Sequence, residues 1–257
     1  MFVRTESFKE FIKFYPIVTG LVIIHFALWL CIDLLQFPFA LQFLRDGIGN
    51  NYLVSQGEYW RLVTPIFLHA GFAHALFNSF SLVLFGPALE QMLGKSKFIL
   101  MYIISGIFGN IGTYLIAPHE FYQHLGASGA VFGIFGVYLF MVLYRKSLIG
   151  PSNSQLIMTI FVLGLFMTFM RTGINVWAHL FGLIGGFAIA PAVLRNARPF
   201  SVWQNRAKHT NRNNGEVTFN PNRWNKRKFL PGKKYGKYIF WGIIIFLVAL
   251  ALLGNLF

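Results

Sequence analysis

The sequence predicts an all-α fold, a polytopic membrane helical bundle with a six-helix core and one additional carboxyl-terminal transmembrane helix. Three observations carry this. Hydrophobic residues make up 56% of the chain and charged residues only 12%, far less charge than a soluble surface of this size requires. The apolar residues fall in blocks close to the roughly 20 residues that cross a bilayer as helix. Lysine and arginine are distributed asymmetrically between the segments that join those blocks.

The apolar blocks predict seven spans, at residues 16–37, 72–92, 98–117, 125–144, 156–170, 175–194 and 238–257. The fifth is the shortest. Between the first two lies a long connection, 38–71, half of it apolar, including Phe39, Leu41, Phe43, Leu44, Tyr52 and Trp60. Such a segment is expected to lie in the membrane interface. The chain thus divides into a membrane core, 1–195, a basic linker, 196–237, and a seventh helix, 238–257. The last span holds no ionisable residue and reads as an anchor added to the core.

Orientation follows from the positive-inside rule. An amino terminus in the cytoplasm puts Arg4, Lys9, Lys13, Lys95, Lys97, Arg145, Lys146 and the twelve lysines and arginines from Arg195 to Lys237 inside. That is nineteen, against Arg45, Arg61 and Arg171 outside. Seven spans then bring the carboxyl terminus outside. The net charge of +14 is concentrated in the linker, which is expected to lie on an anionic inner leaflet or to serve as a solvated tether. Nucleic acid is not an expected partner. The lone cysteine, Cys31, excludes an intrachain disulfide and Cys-based zinc sites. No small-residue cleavage site follows the first apolar block, so it is not expected to be a secretory signal peptide, and no internal repeat suggests a transporter built from two halves. The expected location is the plasma membrane of a bacterium.

Polar groups inside a bilayer cost several kcal/mol unless partnered, so each is a functional candidate. His74 and Asn78 stand four apart in the second span, on one helix face; interhelical hydrogen bonding is their alternative role. His69, near the Ala70-Gly71 break, is expected to brace the preceding loop. His25 and Asp33 receive no role. Glu90, near Lys95 and Lys97, is expected to form a structural ion pair.

Ser128 lies in Gly126-Ala127-Ser128-Gly129 at the start of the fourth span, which continues with Gly133 and Gly136. His179 lies early in the sixth, where Ala178, Gly182 and Gly186 recur every four residues. Two such small-residue faces can pack backbone to backbone. A serine at a helix start also sits among free N–H groups at the positive end of the dipole, a natural place to hold an oxyanion. Counting from the predicted span starts, Ser128 lies about three residues deep and His179 about four. At about 1.5 Å per residue that is roughly 5–6 Å below the same surface. His74 is near that level and Asn78 about one turn deeper, so four polar groups converge in one layer.

Taken in order, Trp60-Arg61, His69 with His74 and Asn78, Glu90 with Gly94, Gly126-Ala127-Ser128-Gly129, and Ala178-His179 with Gly182 and Gly186 resemble the rhomboid intramembrane serine proteases over roughly residues 16–195. The resemblance implies a rhomboid-like core and a catalytic dyad of Ser128 and His179 without an aspartate. It also implies that His74 and Asn78 line an oxyanion site, that the long first loop is embedded in the membrane, and that no metal or other cofactor is used. The implied substrates are transmembrane proteins, cut where a helix locally unwinds. Where many relatives carry a tyrosine four residues after the serine, this chain has Phe132, which supplies an aromatic face without a hydroxyl. The rival readings are a catalytically inactive relative that binds membrane clients and a metal- or proton-handling protein using His69, His74 and His179. The second lacks an HExxH motif or a carboxylate partner set.

Overall fold

A computed structural model describes residues 6–201. Residues 202–237 of the predicted linker and the seventh span, 238–257, lie outside the described residues. A short helix α1 (Phe8–Phe14), closed by a capping box between Ser7 and Glu10, precedes the first span. That span is α2 (Pro16–Trp29), continued by a π-helical turn, Leu30–Leu34. The first loop contains α3 (Pro38–Gly47), the short α4 (Asn51–Ser55) and two 3-10 turns, Tyr59–Leu62 and Thr64–Phe67. The remaining spans are α5 (Gly71–Leu93), α6 (Lys95–Ile116), α7 (Ser128–Tyr144), α8 (Pro151–Met170) and α9 (Val176–Val193). The only sheet among the described residues pairs β1 (Gly49–Asn50) with β2 (Gln123–His124), antiparallel.

Five helices have the length and apolarity to cross a membrane, and α7 is a sixth, shorter apolar helix of 17 residues. At about 1.5 Å per residue it reaches roughly 25 Å, close to a hydrocarbon core. The outward faces fit lipid rather than water. On α8, Val162, Leu163, Phe166, Met167, Phe169 and Met170 are all exposed, a continuous apolar surface that a soluble monomer would not present.

The helices obey local rules. Pro16 and Pro151 open α2 and α8, where a missing N–H costs nothing. Asn175 caps α9 by accepting from Ala178 N–H at 3.0 Å. Gly94 separates α5 from α6 at φ +80°, a conformation that excludes ordinary side chains. The core joins α2, α5, α6 and α7 around Leu82, Phe85, Phe98, Met101, Tyr102, Ile134 and Tyr138, all buried. The Tyr138 hydroxyl is satisfied by donating to Phe85 O at 2.7 Å.

The two glycine faces meet. A Cβ on Gly129 would lie 3.2 Å from Ala178 O, and one on Gly133 would lie 3.3 Å from Gly182 O. On the facing helix, a Cβ on Gly182 or Gly186 would overlap the carbonyl of Gly129 or Gly133. Contacts advance together along both helices, so α7 and α9 run parallel with their backbones in direct contact.

Four expectations change. The first span ends its helix at Leu34, before the predicted 37, because Gln36 adopts φ +49° and Pro38 starts a new helix. The fifth span is 20 residues long, starting at Pro151 in place of 156. The third begins at Lys95, so Lys95 and Lys97 belong to its first turn. Glu90 has a different principal role from the expected ion pair. Its carboxylate accepts from Ile17 N–H at 3.0 Å and Val18 N–H at 2.9 Å. It thereby caps α2 from 72 residues away, where a carboxylate meets free donors and the positive end of the dipole.

Candidate active site

The first loop is a packed structure. Buried Arg61 donates to Glu58 Oε2 at 2.6 Å, to Arg45 O at 3.0 Å and to Ile48 O at 2.7 Å. Trp60 Nε1 donates to Asp46 O at 2.9 Å. Asn51 Nδ2 reaches the carbonyls of Thr113 and Ala117, closing the end of α6. These bonds fix the frame on which the turn before Ser128 rests.

That turn is held at two successive amides. Gly126 N–H donates to Pro65 O at 2.9 Å, and Ala127 N–H donates to His69 Nε2 at 3.4 Å. His69 therefore braces the segment that presents Ser128. Burial, with His25 and His74 beside it, holds its pKa far below the usual imidazole range, so it stays neutral with its proton on Nδ1. Its ring lies between His25, 4.5 Å away, and His74, 5.1 Å away. His25 is tied in turn to Ser79 Oγ at 3.1 Å.

Gly126 has φ +127°, and a Cβ there would sit 2.6 Å from His74 Cε1. Both facts require glycine, and the second puts the His74 ring directly against the turn. His74 Nδ1 accepts from Ala70 N–H at 3.3 Å, so Nε2 carries the proton. A Cβ on Gly126 would lie 2.7 Å from this same Nε2. Asn78 Nδ2 donates one proton to His74 O at 3.0 Å and keeps a second N–H.

Ser128 is the first residue of α7, half-buried. This corrects the expected depth of three residues into the helix: Gly126, at positive φ, cannot continue a right-handed helix, so the helix starts later. The serine's own N–H is consequently among the donors of the first turn that have no intrahelical acceptor. The common level of Ser128 and His179 rests instead on the contact between their neighbours, Gly129 and Ala178.

His179 is buried on α9. Its ring stacks on Phe132 with centroids 4.2 Å apart and planes at 15°. Phe132 is one turn after Ser128 on the same face of α7. The other notable contact was invisible in the sequence: Thr168 Oγ1 on α8 lies 2.8 Å from His179 Nδ1. Among the described residues no three His, Cys, Asp or Glu side chains are grouped to hold a metal ion.

Comparison with known proteins identifies the family. Residues 56–196 match the Rhomboid domain. The chain belongs to the rhomboid family. It is 53% identical over 191 residues to YdcA of Bacillus subtilis strain 168, a protein named for the rhomboid proteases, covering 74% of this chain and 94% of YdcA. It is 40% identical over 147 residues to the rhomboid protease GluP of the same organism, covering 57% of this chain and 28% of GluP. Rhomboid-like protease 1 of Toxoplasma gondii is 33% identical over 163 residues, covering 60% of this chain and 55% of that protein. These relatives place the chain among the rhomboid-type serine proteases, as an integral, multi-pass membrane protein.

Proposed function

We propose that this rhomboid hydrolyses peptide bonds in or near transmembrane segments of membrane proteins, with Ser128 as nucleophile and His179 as general base. The observation that carries this reading is the contact of α7 with α9: Gly129 lies against Ala178, and Phe132, one turn from Ser128, is stacked on the His179 ring. A serine hydroxyl needs such a base, since it is a weak nucleophile at neutral pH. Ser128 Oγ attacks the scissile carbonyl carbon while His179 Nε2 takes its proton. The C–N bond then breaks as His179 returns the proton to the departing amine. Water repeats the sequence on the acyl-enzyme, using the same base.

Charge on the tetrahedral oxygen would be met by Ser128 N–H, His74 Nε2–H and the second N–H of Asn78. Oriented donors of this kind stabilise the transition state most effectively where water is scarce. A scissile carbonyl becomes available only where the substrate helix unwinds, because an intact helix uses its carbonyls internally. A catalytically inactive client-binding role is disfavoured by the presence of both the serine and the histidine. The test is reconstitution in liposomes with a single-span substrate, followed by mass mapping of products. Cleavage in or near the membrane segment is expected; stable binding without cleavage would favour the client-binding role.

Asn78→Ala is expected to lower kcat and leave measurable activity. Loss of one oxyanion donor typically costs about 2.7–4 kcal/mol, roughly 10²–10³ in rate, and less where other donors remain. A kcat equal to wild type would reassign Asn78 to bundle packing through its bond to His74 O.

The same reading puts the amino terminus in the cytoplasm of a bacterium, the basic linker 196–237 on the anionic inner leaflet, and the carboxyl terminus outside. In a Cys31→Ser background, Asn213→Cys should be shielded from an impermeant thiol reagent in intact cells, and His119→Cys should be labelled. The reverse pattern would overturn the orientation. Labelling of both would overturn the assignment of the spans.

A further inference from the structure

We propose that Thr168 is a positioning residue: its hydroxyl oxygen accepts the Nδ1 proton of His179 and so reserves Nε2 as the basic nitrogen that faces the nucleophile. The inference rests on the Ser128–His179 reading above.

A threonine within a membrane helix ordinarily satisfies its hydroxyl by bonding the carbonyl four residues back, and nothing more need be read into it. Thr168 makes that bond, to Gly164 O at 2.8 Å. It also lies 2.8 Å from His179 Nδ1. The first contact gives the second its direction. A hydroxyl has one proton, and a carbonyl oxygen can only accept. With the Thr168 proton on Gly164 O, what the hydroxyl offers His179 is a lone pair, and Nδ1 is the donor. A neutral imidazole with its proton on Nδ1 has its free lone pair on Nε2. When His179 takes a proton from serine, Nδ1–H remains bonded to Thr168 and the imidazolium gains a stronger, charge-assisted bond.

The position of Thr168 suits this task. It is 2% exposed, and with Ile157 and Phe161 it forms the buried face of a helix that otherwise presents large apolar side chains outward. It is the polar member of that buried set. Phe132 fixes the plane of the imidazole but, having no hydroxyl, cannot fix its tautomer. Thr168 supplies the hydrogen bond that the aromatic neighbour lacks. In serine proteases with a triad a carboxylate orients the histidine; a neutral hydroxyl performs the orienting part of that role without adding a buried charge.

Two variants separate hydroxyl from packing. Thr168→Val keeps the shape and removes the hydroxyl; Thr168→Ser keeps the hydroxyl and removes a methyl group. Both are to be reconstituted beside wild type and Ser128→Ala, with kcat and KM measured on one transmembrane substrate and thermal stability checked in detergent. Thr168→Val is expected to lose on the order of tenfold or more in kcat, part of the roughly 10²–10⁴ that general base catalysis supplies, with KM nearly unchanged. Thr168→Ser is expected to retain most of the wild-type kcat. Activity of Thr168→Val at the wild-type level beside an inactive Ser128→Ala would overturn this inference and leave the dyad intact. Thr168→Ser falling below Thr168→Val would assign the residue to packing and overturn it as well. Full activity of Ser128→Ala would overturn the dyad and this inference with it.

Discussion

Ser128→Ala is expected to abolish cleavage of a reconstituted transmembrane substrate and to leave the melting temperature in detergent close to wild type. The residue is half-buried at the first position of α7, so the substitution deletes one hydroxyl and little packing. The turn that presents it is held by Gly126 and Ala127, whose bonds to Pro65 O and His69 Nε2 do not involve the serine side chain. Losing a serine nucleophile costs about 10⁶ in kcat where it has been measured in a soluble protease. The expected result here is therefore background turnover by a folded protein. Initial rates on one substrate, with circular dichroism as the control for folding, would decide it. Undiminished proteolysis by the folded variant would remove Ser128 from the chemistry.

His179→Ala should be nearly as damaging, and the Ser128→Ala/His179→Ala double variant should be no worse than either single one. Groups that act as one unit do not contribute additively: without its base the serine is an ordinary alcohol, and without the serine the base has no proton to take. The ring of His179 also fills space against Phe132 and reaches Thr168, so this variant is expected to lose some stability that Ser128→Ala does not. Rate losses that add in the double variant would mean that serine and histidine act separately.

Much of this arrangement could be read from the sequence, because the information was periodic or local. His74 and Asn78 are one turn apart on any helix. Gly129, Gly133 and Gly136 face Ala178, Gly182 and Gly186 because close backbone approach requires small side chains or none. What the sequence concealed depends on contacts between distant segments. Glu90 looks like the partner of nearby lysines until α2 folds its amino terminus onto it. Thr168 is one of four hydroxyl side chains in α8, and no spacing relates it to His179 before α8 packs beside α9. α7 starts three residues later than the apolar block implies, because an apolar window does not register the positive φ of Gly126. Nor does any spacing relate His25 to His69, whose rings meet at a tilt with centroids 4.5 Å apart.

The most direct measurement of the central claim is covalent labelling with a fluorophosphonate, which forms an Oγ–P bond with expulsion of fluoride only at a serine made nucleophilic by a base. Purified wild-type protein should be modified at a single residue, identified by peptide mass mapping as Ser128, and His179→Ala should abolish the modification. Labelling of a different serine, or undiminished labelling of Ser128 in His179→Ala, would contradict a Ser128–His179 dyad.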